Sequence, residues 1–271
     1  MENRCNNTNM LHDNVVKGYK SGDSYNNHRP DYTEETTKFV LNKLNLETEG
    51  TYDVLELGAG TGLFTRRFLH YDTSNLKVIA TDPLENFLEK LKLLSPDVET
   101  LQCSAESIPL PDCSVKNVVC VQCFHWFANK TALKEIHRVM VPHGRLVFLW
   151  NTRDVTDASK ITYDISNYIQ TSVIKDTPTQ LKETWIGIFE DFNGFSPIQE
   201  HWFLQHFKHS GSVDFIISYL KSLSYISKLE QSEQDNVESK FREIINNHPD
   251  TKKGGIIDIL FNTEIYWCQK L

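Results

Sequence analysis

Residues 54–62 of this 271-residue chain read V-L-E-L-G-A-G-T-G, and little else in the sequence restricts the fold as much. Val54, Leu55 and Leu57 form a short apolar run of the kind that lies buried in a sheet, with Glu56 near its end. Gly58, Gly60 and Gly62 follow directly, and then Leu63, Phe64, Phe68 and Leu69 recur at helical spacing. A strand that runs through a glycine turn into a helix brings bare backbone and a helix N-terminus up to a ligand. Glycine removes the Cβ atoms that would bar that approach. The dinucleotide fingerprint G-x-G-x-x-G wants glycine at its sixth position. Leu63 stands there, and the third glycine comes one place early, at Gly62. A nicotinamide-dependent oxidoreductase is therefore the weaker reading of this turn.

Hydrophobic residues make up 39% of the chain, enough for a substantial core. The net charge of −8 argues against a nucleic-acid or anionic-membrane partner, since such surfaces select cationic patches. No apolar run reaches the roughly 18 residues of a membrane helix. Residues 1–10 are polar and Asn-rich, without the apolar stretch of a secretory leader. We expect a soluble, cytoplasmic protein with a frayed N-terminus. Asn6-Asn7-Thr8 fits a glycosylation sequon, so secretion is the competing reading. Cys5, Cys103, Cys113, Cys120, Cys123 and Cys268 show no disulfide-framework spacing. Cys120-x-x-Cys123 invites zinc or redox chemistry, but Cys120 lies in an apolar strand run and no second ligand pair accompanies it. Residues three apart on a strand face opposite sides. We expect no metal, and cysteines packed as small apolar residues.

Strand-like runs fall near residues 52–57, 76–81, 98–103, 118–122 and 145–150, alternating with helical patterns near 63–69, 83–94 and 130–140. Such alternation implies a parallel sheet with helices on both faces. A helix is expected over residues 33–46. Beyond Trp150 the pattern predicts a helix at 157–174, a strand at 199–207, helices at 213–220 and 234–246, and a last strand at 256–267. No repeat or Pro/Gly-rich linker interrupts the chain, so one domain is expected.

Asp82 follows the second strand at close to the spacing, about 20 residues past the glycine turn, at which a carboxylate bonds ribose hydroxyls. Asp82-Pro83-Leu84-Glu85 is equally a good helix start, with Asp as N-cap, Pro first and Glu third. The two roles are compatible, because a carboxylate has two oxygens. The third strand leads into Cys103-Ser104-Ala105-Glu106, where Glu106 could accept a bond from an exocyclic amine or remain a solvated surface residue.

This order of motifs resembles the class I S-adenosylmethionine (SAM) methyltransferases over residues 25–153, and in particular their small-molecule subgroup. Gly58-Ala59-Gly60-Thr61-Gly62 resembles their motif I, Asp82 their ribose acid, and Ser104-Ala105-Glu106-Ser107-Ile108-Pro109 their adenine-side segment. Glu135 to Gly144 is similar to the helix and turn before the fifth strand. Two departures stand out: Lys116-Asn117-Val118 where Asp-x-Val is usual, and Pro142-His143-Gly144 where Pro-Gly-Gly is usual. The resemblance implies a Rossmann-like doubly wound α/β fold: seven strands, mostly parallel with an antiparallel last strand, and helices on both faces. It implies one domain, with residues 1–24 a partly flexible arm, 25–155 the SAM-binding core, and 156–271 the acceptor side.

The implied cofactor residues are Tyr25, Arg29, Glu56, Gly58, Ala59, Gly60, Thr61, Asp82, Pro83, Ala105, Glu106 and Gln122. Tyr25-x-x-x-Arg29-Pro30-x-Tyr32 resembles a segment that folds over SAM, with Arg29 on the methionyl carboxylate or else a plain surface residue. After the fourth strand, Gln122-Cys123-Phe124-His125-Trp126-Phe127 borders the methyl group and the acceptor in that family. His125 is the candidate general base or substrate donor, and the aromatic rings can wall a sulfonium. A packed His125-Trp126 core pair is the alternative. Trp150-Asn151-Thr152-Arg153-Asp154 resembles a signature of a branch that includes fungal trans-aconitate methyltransferase-like enzymes. The implied acceptor residues are His125, Trp126, Trp150, Asn151 and Arg153, with Arg153 able to clamp a carboxylate or to pair with Asp154. Residues 222–226 and 262–266 loosely resemble the same branch. Trp202, Phe203 and Phe207 are either pocket or core. The expected activity is methyl transfer to a small molecule, with a carboxylate as the candidate acceptor group. A SAM-binding partner without transfer activity and a protein or RNA methyltransferase are the alternatives.

Overall fold

The computed structural model describes residues 28–71, 75–157, 160–174, 182–249, 251 and 255–271. Seven strands form one sheet: β1 (Tyr52–Leu57), β2 (Val78–Asp82), β3 (Glu99–Gln102), β4 (Val115–Val121), β5 (Met140–Arg153), β6 (Gln199–Ser212) and β7 (Ile256–Gln269). Their spatial order is β3-β2-β1-β4-β5-β7-β6. The pairs β1–β2, β1–β4, β2–β3 and β4–β5 are parallel. β7 runs antiparallel to both β5 and β6, as expected of the last strand.

The central strands read as continuous apolar runs because both of their faces are covered. Val119, Val121, Val147 and Leu149 pack on one side with Val40 of α1 (Glu34–Leu41) and with Phe64 and Phe68 of α2 (Leu63–Tyr71). Val118, Cys120, Leu146 and Phe148 pack on the other with Leu133 and Ile136 of α4 (Lys130–Val139). α3 (Glu85–Leu94) sets Leu91 against Ala80 of β2. A separate core joins α5 (Ile161–Tyr168), α7 (Val213–Lys221) and α9 (Gln231–Asn247) to Ile257, Ile259 and Phe261 of β7.

Several boundaries differ from expectation, each for a local reason. The first helix ends at Leu41 instead of near residue 46, because the backbone N–H and C=O of Asn45 are taken by the Asn117 side chain. α3 starts at Glu85, not at Pro83. Asp82 Oδ1 accepts the Leu84 N–H, a turn that holds Leu84 extended before the helix begins. β5 runs on to Arg153 because β7 pairs with it from Arg145 as far as Arg153, satisfying its backbone. The helix expected from residue 157 spans Ile161–Tyr168 and widens into a π turn over Ile169–Val173. A short helix, α6 (Lys182–Trp185), and the 3₁₀ turn Ile186–Phe189 were not anticipated, although Trp185 is fully buried among Phe124, Phe148, Trp150 and Tyr266. α8 (Ser224–Ser227) was also unforeseen.

The two departures from the family pattern are accommodated. Lys116, where Asp is usual, pairs through Nζ with Asp53 Oδ1 at 2.8 Å. His143 adopts φ of 64° at its turn. Asn117 is fully buried and saturates four backbone groups: Oδ1 accepts from Asn45 N at 2.9 Å and Arg145 N at 3.2 Å, and Nδ2 donates to Asn45 O at 2.9 Å and Asp53 O at 3.0 Å. Asn117→Ala leaves several buried polar groups unpaired, each costing about 1–3 kcal/mol. Urea unfolding should therefore place this variant about 3 kcal/mol or more below wild type, a larger loss than most exposed-site substitutions give.

Candidate active site

The carboxyl ends of β1, β2, β4 and β5 meet at one edge of the sheet, and the glycine turn after β1 lies at that edge. Gly60 and Gly62 both have positive φ, 58° and 77°, but for different ends. A Cβ on Gly62 would stand 2.7 Å from Leu91 Cγ of α3, so close helix packing requires glycine there. A Cβ on Gly60 would meet only Phe87, at 3.8 Å, so Gly60 faces open space. Gly58 is approached by Cys123, whose Sγ donates to Leu57 O at 3.0 Å. Cys123 thus packs the turn, and Cys120 lies buried in β4.

Asp82 holds the turn in place. Its Oδ2 accepts the Gly60 N–H at 2.9 Å while Oδ1 accepts Leu84 N–H at 2.9 Å. Burial raises its carboxyl to about 6 despite those two bonds. Glu56 is also buried, and its Oε2 accepts from Thr65 Oγ1 at 2.7 Å. Burial, with the Asp82 charge as a smaller contribution, raises it to about 7. Ala59 N–H donates to Thr81 O. The Thr61 hydroxyl is buried with no hydrogen-bond partner among the described residues. Pro83 O accepts from Gln102 Nε2. Ala105 is packed into the core, and Glu106 Oε1 accepts from Asn129 Nδ2 at 2.9 Å, which steadies the residue capping α4. Gln122 has φ of 60°, an uncommon conformation for a residue other than glycine, and donates to Asn151 O. Tyr25 lies outside the described residues.

Beside this turn is a cavity of about 100 Å³. Arg29, Gln122, His125, Trp126, Asn151 and Arg153 line it, so most residues expected to face the acceptor come together there. Arg29 Nη2 donates to Ser222 O at 2.8 Å. Arg153 is held by three hydroxyls: Nε on Ser166 Oγ at 3.0 Å, Nη2 on the Tyr225 phenol at 3.1 Å and Nη1 on the Tyr219 phenol at 3.4 Å. The Arg153–Asp154 ion pair does not form; Asp154 Oδ1 accepts instead from Thr156 N and Oγ1. Among the described residues no carboxylate pairs with Arg153, and neither Asp nor Glu lines the cavity. Asn151 Oδ1 accepts from Thr263 Oγ1.

Trp150 departs from its expected place. It does not line the cavity; it is fully buried, stacked on Trp185 at 5.1 Å, because its position on β5 faces the aromatic core under the site. It reaches the site through one bond, from its indole Nε1 to His125 Nδ1 at 3.2 Å. The imidazole keeps part of its surface on the cavity, yet the surrounding protein strips away water and drives its pKa down to about 3. Trp202, Phe203 and Phe207 are away from the cavity. Trp202 is 47% exposed, Phe203 packs on Phe39, and Phe207 stacks on Phe261. Phe261 does line the site, as do Tyr219 and Tyr225. Tyr225 lies in a stretch whose spacing hinted at the acceptor side, whereas Tyr219 is masked by the apolar stripe of its helix.

Comparison with known proteins agrees with this architecture. Residues 55–148 match the methyltransferase-domain family. An uncharacterized methyltransferase-like protein of Schizosaccharomyces pombe is 33% identical over 244 residues, covering 89% of this chain and 91% of the relative. A solved structure of a protein assigned as a methyltransferase from an antibiotic biosynthesis pathway of Anabaena variabilis shares the fold. It has a TM-score of 0.61 at 19% identity, covering 91% of this chain and 100% of that one. Phosphoethanolamine N-methyltransferase 2 of Haemonchus contortus, solved with S-adenosyl-L-methionine, superposes with a TM-score of 0.50 at 15% identity over 92% of this chain and 56% of that one. The chain belongs to the class I SAM-dependent methyltransferase family. Among the described residues no helix is long and apolar enough to cross a membrane.

Two stability predictions follow from the turn. Gly62→Ala should lower the melting temperature more than Gly60→Ala, since both incur positive-φ strain but only the first collides with Leu91. A thermal melt of each unliganded variant decides this. The second concerns Glu56. A carboxyl raised on folding contributes stability below its unfolded value near 4.5 and loses it as pH climbs through its folded value of about 7. Glu56→Gln should therefore gain melting temperature relative to wild type between about pH 5 and about pH 8. A constant difference across that range would contradict the burial argument.

Proposed function

We propose that the chain transfers the methyl group of SAM to a small-molecule acceptor bearing a carboxylate, of the kind the trans-aconitate methyltransferase-like resemblance implies. The observation that carries the acceptor class is Arg153: a guanidinium fixed by three neutral hydroxyls on a cavity that, among the described residues, no Asp or Glu lines and where no carboxylate answers it. A bidentate carboxylate complements such a fork.

The cofactor reading rests on fit. Open space beside Gly60, the unpartnered Thr61 hydroxyl and two buried carboxylates at strand ends suit a ligand rich in hydroxyl and amine donors. Each Asp82 oxygen already accepts one backbone N–H and retains a lone pair for a ribose hydroxyl. Glu56, residues 58–61, Pro83, Ala105, Glu106 and Gln122 surround that region in this reading, and Arg29 takes the methionyl carboxylate. SAM supplies a methyl on a sulfonium that leaves as a neutral thioether. The protein's own work is to hold the acceptor oxygen in line and to keep water out. We read residues 25–155 as the cofactor half of one domain and 156–271 as the acceptor half, since Arg153 is gripped by Ser166, Tyr219 and Tyr225 from the latter.

Calorimetric titration with SAM should show binding to wild type and none to Gly60→Arg, whose melt should still report a folded protein. No binding to wild type would sink the cofactor reading. Incubation with methyl-labelled SAM and a panel of di- and tricarboxylic acids should then give a labelled product that mild base hydrolyses to methanol, as a methyl ester must. A base-stable label would point to another acceptor atom. Arg153→Met should weaken acceptor binding by about 2–5 kcal/mol.

A further inference from the structure

Trp150 is the feature of the site that its burial leaves unexplained. A tryptophan enclosed at 0% exposure usually turns its indole N–H to a neighbouring oxygen. Here the partner is an imidazole nitrogen, His125 Nδ1, and the acceptor role fixes that nitrogen as the one without a proton. The indole cannot swing away, because Trp185 stacks on it at 5.1 Å and Tyr266 closes edge-on at 5.9 Å. The other ring nitrogen, Nε2, has no protein partner among the described residues, and the ring lines the cavity.

We propose that Trp150 is a positioning residue that locks His125 as its Nε2–H tautomer, so that the histidine acts as a hydrogen-bond donor to an already ionised acceptor oxygen and takes no proton. The inference rests on the methyltransferase reading above and deepens it. For Nε2 to serve as a base its lone pair must be free, which puts the proton on Nδ1. That proton would then face the indole N–H at 3.2 Å, donor against donor. The groups that share the cavity with the ring reinforce the same state. Arg29 and Arg153 are cations that disfavour an imidazolium, Tyr219 and Tyr225 are phenols, and among the described residues no Asp or Glu lines the cavity to stabilise one. In the transfer the acceptor oxygen contributes the electron pair of the new O–CH3 bond, the sulfur keeps the pair of the broken S–CH3 bond, and no proton changes hands. An alcohol or amine acceptor would have to shed a proton that this histidine is not arranged to receive.

Nitrogen-15 NMR of histidine-labelled protein tests the tautomer without any acceptor, with the His125 signal identified by its loss in His125→Gln. Wild type should show a neutral ring with Nε2 protonated and Nδ1 bare down to about pH 5, well below the ordinary histidine range. A protonated Nδ1, or a cationic ring near pH 6, would overturn the proposal. Trp150→Phe should mix the two tautomers and raise the pH at which the ring titrates; if that variant does not fold, the wild-type spectrum still decides. In the labelled-transfer assay, His125→Gln, which keeps an amide N–H donor, should lose about tenfold, while His125→Leu, which removes the donor, should lose about 100-fold. Equal losses in the two would count against a donor. SAM titration of the same proteins separates the failures: absent binding to wild type strikes the methyltransferase reading, whereas the NMR result bears on the lock alone.

Discussion

One buried carboxylate sets the geometry from which the rest of the site follows. Asp82 accepts a backbone N–H from Gly60 and another from Leu84, so the turn after β1 and the start of α3 are fixed to the same two oxygens. An uncharged side chain of that size could not accept twice on one planar group with equal strength, since charge-assisted bonds are roughly twice as strong as neutral ones. The cost is a carboxylate held in a poorly solvated place beside a second one, Glu56. Strain and repulsion of this kind gather where a ligand, not the protein, completes the bonding. Gln122, in the left-handed region at the end of β4, marks the same edge from the other side.

The cavity beside the glycine turn lies at the seam between two cores. Beneath it Phe124, Phe148, Trp150, Trp185 and Tyr266 form a rigid aromatic floor, with ring centroids as close as 4.4 Å between Phe124 and Phe148. Above it α5, α7 and their neighbours form the second core. β5 crosses the seam: its middle residues belong to the floor, while Arg153 at its end is gripped by hydroxyls from the second core. Rigid elements on both sides hold a charged side chain in place with no carboxylate beside it among the described residues. A guanidinium on a loop would collapse onto the nearest carbonyl or carboxylate instead.

The fold and the glycine turn at the sheet's carboxyl edge were legible in the sequence because they depend on local chemistry. The V-L-E-L run, the three glycines and Asp82 sit within short windows, and each needs only its neighbours to make sense. What stayed hidden depends on pairing at a distance. The extension of β5 to Arg153 is decided by β7, far along the chain. Trp150 reads as a pocket residue by its neighbourhood to Asn151 and Arg153; only the parity of its strand position, set by register, turns it into the floor. Tyr219 is indistinguishable from core on its own helix, and the aromatic residues of 185–195 carry no periodicity that announces a wall. Asn117 sits at the unspecified position of the Asp-x-Val pattern, and its role appears only when Asn45, Asp53 and Arg145 are brought around it.

The antiparallel seventh strand has a consequence for how the chain is made. β6 touches the sheet through β7 alone, and β7 is translated after the whole of α7, α8 and α9. A nascent chain can assemble the parallel half early, yet β6 must wait on the ribosome as a long unpaired ribbon carrying Trp202 and Leu204 outward. Its exposed hydrogen-bonding groups are an open template for any other extended segment during that interval. The protein is thus most vulnerable to mispairing in the seconds before its seventh strand joins β5 and brings β6 onto the sheet.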